Sequence, residues 1–102
     1  MGDINKAGLD RGDIGAELRN LLISARLRKE EYMHIIDDLD KDELMHDLIE
    51  YRTILEMQVM PLLERAQAIG VRSLIDTARE IKAIYDEIIN KIQERIDGKD
   101  GT

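Results

Sequence analysis

Cysteine is absent from the chain, and with it go disulfides, thiolate nucleophiles and thiolate metal sites. Phe and Trp are absent as well, so the core must be aliphatic, with only Tyr32, Tyr51 and Tyr85 as aromatic material. Proline occurs once, at Pro61. No apolar run approaches the roughly 20 residues of a membrane span. The first residues, MGDINKAGLDRGDIG, lack the basic-then-apolar order of a secretory signal. Lys6 stands where myristoylation at Gly2 needs Ser or Thr. These absences give the expectation of a cytoplasmic protein with no membrane partner.

What remains is suited to helices. Hydrophobic residues make up 43% of the 102 and charged residues 36%. Leu, Ile, Ala and Met supply most of the apolar content, and straight-chain residues and Leu lose little rotamer freedom in a helix. The expected class is all-α and the expected unit a single domain, since the length is close to the commonest domain size.

The net charge of −7 argues against a general nucleic-acid binder, which needs clustered Lys and Arg to neutralise phosphates. The charge is uneven. Residues 1–29 hold six bases and four acids, residues 30–50 hold nine acids against Lys41 alone, and the remainder is nearly balanced. A nucleic-acid role would have to use Arg19, Arg26, Arg28 and Lys29. Most of these lie off the apolar stripe of their segment and suit a solvated face with pairs such as Arg26–Glu30.

Apolar periodicity predicts three long helices. Residues 1–12, polar and with three glycines, are expected to form a flexible arm. Asp13 is a candidate N-cap for a first helix over 13–39, whose stripe is Ile14, Leu18, Leu21, Leu22, Ala25, Tyr32, Ile36 and Leu39. In DDLDKDEL, Asp40 and Glu43 have capping-box spacing, which predicts a tight turn and a new helix. That helix spans 41–69 with a kink at Pro61, whose ring clashes with the carbonyl four residues back. Its main stripe is Leu44, Leu48, Tyr51, Leu55, Val59, Leu62, Ala66 and Ile69. A surplus of apolar residues lies outside that stripe: Met45, Ile49, Ile54, Met57, Met60 and Leu63. A helix apolar over most of its circumference is buried on more than one side, so this surplus predicts a subunit interface and makes the segment the expected centre of the packing. Gly70 suits the left-handed residue that closes a helix. Ser73 and Asp76 then predict a restart, with a third helix over 73–97 and a flexible tail over 98–102. The expected architecture is an antiparallel three-helix bundle that dimerises into a larger one.

The sharpest chemical pattern is doubled. Glu31-Tyr-Met-His34 and Glu43-Leu-Met-His46 contain the only two histidines, each three residues after a glutamate. This resembles the Glu-x-x-His element of ferritin-like di-iron carboxylate proteins, which take such elements from two helices together with two further glutamates. The resemblance implies iron or another divalent metal, ferrous oxidation or oxygen activation, and ligands Glu31, His34, Glu43 and His46, with Glu30, Glu50 or Glu56 completing the set. Helical phase points the other way. His34 falls about 160° from the stripe of its helix, and His46 about 150° from the stripe of its own.

Other chemistries fall on spacing. Asp38-x-Asp40-x-Asp42 imitates the start of a calcium loop, but Glu43 stands at the glycine position and Ile49 at the final glutamate position. All-α NTP pyrophosphatases need Glu-x-x-Glu, which does not occur; Glu94–Asp97 matches only their second element. Ile36–Arg52 loosely resembles helical chorismate mutases, yet Leu63 stands where a catalytic lysine is expected. Arg11-Gly12-Asp13 is a common tripeptide without an adhesion context. The few hydroxyl side chains have no histidine near them in sequence, and no glycine-rich phosphate loop is present.

The function expected from sequence is therefore protein–protein interaction without catalysis or cofactor, as an adaptor or regulatory subunit. The acidic turn, with Asp37, Asp38, Asp40, Asp42, Glu43 and Asp47, would face a basic partner. Met45, Ile49, Ile54, Met57, Met60 and Leu63 would face a second copy.

Overall fold

A computed structural model describes the backbone of residues 2–100 and the side chains of residues 14–99. It is all-helical, with no strand among the described residues. α1 spans Gly2–Ile35 and passes into a single 3-10 turn, Ile36–Asp38. α2 spans Lys41–Ile54, a π turn spans Leu55–Val59, and α3 spans Met60–Ile69. α4 spans Arg72–Asp100.

The first helix begins earlier than Asp13, which lies inside it rather than capping it. The expected arm over residues 1–12 falls outside the described side chains, and Gly101 and Thr102 of the expected tail lie outside the described residues. α4 continues through Gly98 to Asp100, past the expected end at 97. Its first turn is fastened to Val71, whose carbonyl accepts from the Leu74 and Ile75 N–H groups, so the helix starts just ahead of Ser73.

The turn after α1 follows the sequence closely. Asp40 accepts from the Glu43 N–H at 2.8 Å, and the Glu43 carboxylate accepts from the Asp40 N–H at 3.2 Å. This reciprocal box satisfies two of the donors that a helix start leaves open. At the other end of the molecule Gly70 adopts φ 81°, and its N–H bonds the Ala66 carbonyl at 3.0 Å.

Pro61 does not break the rod. The carbonyl ladder widens by one residue ahead of it, and the Met60 N–H reaches back to Leu55 O. This places Pro61 in the first turn of α3, where its missing donor has no partner to lose. π turns of this kind are the usual way a helix absorbs one inserted residue.

The centre of the packing is α4, not the expected 41–69 rod. α1, α2, the π turn and α3 all lie against α4, whereas α1 and α3 touch each other little. The reason is in the sequence of α4, where isoleucine recurs on one stripe. Ala78, Ile81, Tyr85, Ile88, Ile92 and Ile96 are buried, and Ile84 widens the stripe by one further position. α1 contributes Ile14, Leu18, Ala25 and Tyr32, and the rod contributes Leu44, Leu48, Tyr51, Val59, Leu62, Leu63 and Ala66. The particle is elongated, 63 × 22 × 20 Å.

Ion pairs fasten α1 to α4. Arg26 pairs with Glu80, Lys29 with Glu87, and Asp37 in the adjoining turn with Arg95 at 2.9 Å. Glu17 faces Arg65 of α3 at 3.6 Å. The expected helix-internal pair Arg26–Glu30 gives way to the longer-range Arg26–Glu80 pair, and Lys91 pairs with Glu94 within α4. No helix among the described residues is long and apolar enough to cross a membrane.

Candidate interaction surfaces

Each of the three long rods supplies one tyrosine to a single cluster. The Tyr32 and Tyr51 rings meet edge-on at 5.4 Å, and Tyr51 and Tyr85 meet at 6.0 Å, tilted by 47°. Edge-on and tilted contacts set the positive ring edge near the negative face. The Tyr32 hydroxyl donates to Asp47 at 2.8 Å. Burial pushes the Tyr32 phenol well above the usual tyrosine range, and the hydrogen bond to Asp47 adds to that push. Burial also raises Tyr51 and Tyr85, opposed in both by the nearby Arg28 guanidinium. The cluster is neutral and is tied to the acidic turn through Asp47.

The acidic turn divides into two groups. Asp37 is engaged with Arg95, Asp40 and Glu43 with each other, and Asp47 with Tyr32. Asp38 and Asp42 are exposed. Four of the six expected partner-facing carboxylates therefore hold the fold as well, which the spacing showed only for Asp40 and Glu43.

The paired Glu-x-x-His elements project outward, as the helical phase indicates. Glu31, His34, Glu43 and His46 are all exposed. A shallow depression brings together Asp42, Glu43, His46 and Asp47, without Glu31 or His34. Among the described residues, no group of three or more His, Asp or Glu side chains is placed to hold a metal ion.

Three of the four basic residues singled out on α1 are engaged with other elements. Arg26 and Lys29 are bridged to α4, and Arg28 lies beside Tyr51 and Tyr85.

The six apolar residues expected at an interface separate into three groups. Leu63 is only 7% exposed and belongs to the core, contrary to expectation. Ile54 and Met60 are half-buried against that core. Met45, Ile49 and Met57 are exposed by 46, 65 and 71%. Leu62 and Ala66 of the projected stripe are buried beside Leu63, so α3 buries a wider face than that stripe alone.

No family model, curated protein or solved structure matches the chain. The surfaces are therefore read on their own chemistry.

Two features escaped the sequence reading. Ile23, Leu27 and Ile35 are exposed on α1, and the steps of four and eight residues between them, off the main stripe, were the available signal. A groove of about 500 Å³ separates α1 from the π turn and α3, lined by Asn20, Leu21, Ser24, Gln58 and Pro61 among others. Its origin is the helix arrangement, in which both walls pack on α4 rather than on each other, and no local motif encodes that.

Proposed function

We propose that the chain is a small interaction module, an adaptor or regulatory subunit of the cytoplasm, that carries out no catalysis of its own. It binds a basic protein partner through the acidic turn and associates with itself through the 41–69 rod. The observation that carries this reading is the contrast between a well-sorted core and what is left outside it. Among the described residues no polar or charged side chain is buried, yet Met45, Ile49 and Met57 stand in solvent, and carboxylates crowd one turn. Methionine accommodates varied contacts, and dense charge speeds encounter with a partner of opposite sign.

We also infer an antiparallel arrangement of the three rods. The pairs Arg26–Glu80, Lys29–Glu87 and Asp37–Arg95 advance together along α1 and α4, whereas Glu17–Arg65 and Tyr32–Asp47 run oppositely. This order supports α1 and α4 pointing one way and the 41–69 rod the other.

The test uses Asp38→Lys/Asp42→Lys, which spares the capping box, the Arg95 pair and the Tyr32 hydrogen bond. Proteins captured by the native chain and lost with this variant should be basic. Binding of a purified one should weaken steeply with added salt. Capture of the same set by both forms, with salt-independent affinity, would remove the acidic turn from the reading.

A further inference from the structure

α1 has neighbours on two flanks. Arg26 and Lys29 pair with α4 on one, while Glu17, Leu21 and Ser24 face the π turn and α3 across the groove on the other. Leu18 and Ala25 point into the core. The side of α1 opposite these two carries Asn20, Ile23, Leu27 and Glu30, all exposed. Their steps of three, four and three residues are the alternation that keeps one seam turned toward a partner helix. Ile23 and Leu27, at its centre, are exposed by 63 and 54%. The groove opens directly beside this seam. Asn20 and Ser24 form one lip and Met57 and Pro61 the other, with Leu21 and Leu62 also in the lining. An apolar ridge thus borders an apolar-lined groove on one surface, and such a surface can be complementary to itself under a twofold rotation.

We propose that a second copy of the chain docks on this surface, α1 against α1 and antiparallel, about a twofold axis midway between Ile23 and Leu27. Leu27 of each copy then sits at the groove mouth of the other. The inference rests on the self-association part of the proposed function and places most of that contact on α1, with Met57 and Pro61 as the rod's share. Charge selects the occupant and its direction. Arg19 and Glu30 are both exposed and eleven residues apart, three turns to within about 20°, so they share one flank of the seam. In an antiparallel helix pair the same flank of each copy faces the other. The twofold therefore brings Arg19 of each copy level with Glu30 of its mate to within one residue, ~1.5 Å of rise. Asn20 and Glu31, also exposed and eleven residues apart, occupy the flank beside the groove. There the Asn20 carboxamide can donate to the mate's Glu31 carboxylate. A parallel pair would set Arg19 against Arg19 and Glu30 against Glu30. It would also bring both acidic turns to one end, which the repulsion within a chain of net charge −7 opposes. The antiparallel pair sends them to opposite ends.

The absence of cysteine makes the test clean. Native mass spectrometry and sedimentation of the full chain over a concentration series should show a dimer. Under mild oxidation, Ile23→Cys and Leu27→Cys should each stay uncross-linked alone and cross-link when mixed. Arg19→Glu should weaken dimerisation about tenfold, and adding Glu30→Arg should restore it to within about threefold, as expected of two exposed charge pairs. Leu27→Glu should abolish the dimer with helical circular dichroism unchanged. The Arg19 and Glu30 variants touch no core residue, so they decide the matter if Leu27→Glu unfolds the chain. Cross-linking of Ile23→Cys with itself, and not with Leu27→Cys, would overturn the antiparallel direction. A dimer that survives both Leu27→Glu and Arg19→Glu, and is lost with Ile49→Glu, would overturn this interface and leave self-association through the rod standing. A monomer at every concentration would overturn both.

Discussion

The Tyr32 hydroxyl donates to the Asp47 carboxylate at 2.8 Å, tying α1 to α2 across the turn that separates them. The contact is partly buried, and the same ring lies edge-on to Tyr51. Tyr32→Phe keeps the ring contact and removes the hydrogen bond. Urea denaturation should show a loss of about 1–2 kcal/mol, because the acceptor is charged. In a double-mutant cycle, Tyr32→Phe and Asp47→Asn should together cost less than the sum of their separate effects.

The tyrosine cluster sets an alkaline limit. All three phenols have folded-state values raised above the ordinary one, chiefly by burial. A raised value means that folding favours the protonated phenol. The contribution is thus fully present below the unfolded value of about 10 and is lost as pH rises beyond it. Tyrosinate absorbance and loss of helical circular dichroism should appear together above that pH. Free ionisation of all three tyrosines near pH 10 with the helix content intact would contradict this account.

α4 should be the most sensitive element in the core. Ile88 is fully buried on the stripe that every other helix packs against. Ile88→Ala should cost about 2–5 kcal/mol in thermal or chemical denaturation, from lost transfer energy and the cavity left behind. Met57→Ala, at an exposed position on the rod, should change monomer stability by less than about 0.5 kcal/mol.

The two ends of the rod are fixed by different devices of comparable size. Asp40→Ala removes one arm of the capping box and should cost about 0.5–2 kcal/mol. Gly70→Ala introduces a Cβ at φ 81°, where no atom lies within 4 Å of it. Its cost of about 1–2 kcal/mol would be pure backbone strain. Gly70→Asn should recover part of that, since Asn tolerates the left-handed region.

Much of this architecture was legible in the residues themselves. Helix class, the Asp40–Glu43 box, the Gly70 closure and most of the buried stripes follow from spacing and capping chemistry. The start of α1 did not, because glycines at 2, 8 and 12 lower helix propensity without forbidding a helix. The centre of packing was misplaced for a more instructive reason. The 41–69 segment carries more apolar side chains than its place in the fold buries. A count of hydrophobic residues measures what a helix could bury, not what its neighbours cover. α4, less apolar but more regular, places Ile81, Tyr85, Ile88 and Ile92 on one uninterrupted face and so becomes the common contact. The candidate surfaces were legible in part. Met45, Ile49 and Met57 were found by composition, whereas the groove between α1 and α3 depends on how both pack on α4.

The position of α4 in the chain also governs when the protein can fold. α1 and the 41–69 rod leave the ribosome first, and most of the surface on which they meet belongs to a helix not yet synthesised. Until Arg72–Asp100 emerges, Ile14, Leu18, Leu44 and Leu48 have little to close upon. Until then the nascent chain carries these side chains uncovered, open to chaperones. Slowing synthesis upstream of Arg72 should therefore prolong that exposure without hastening collapse.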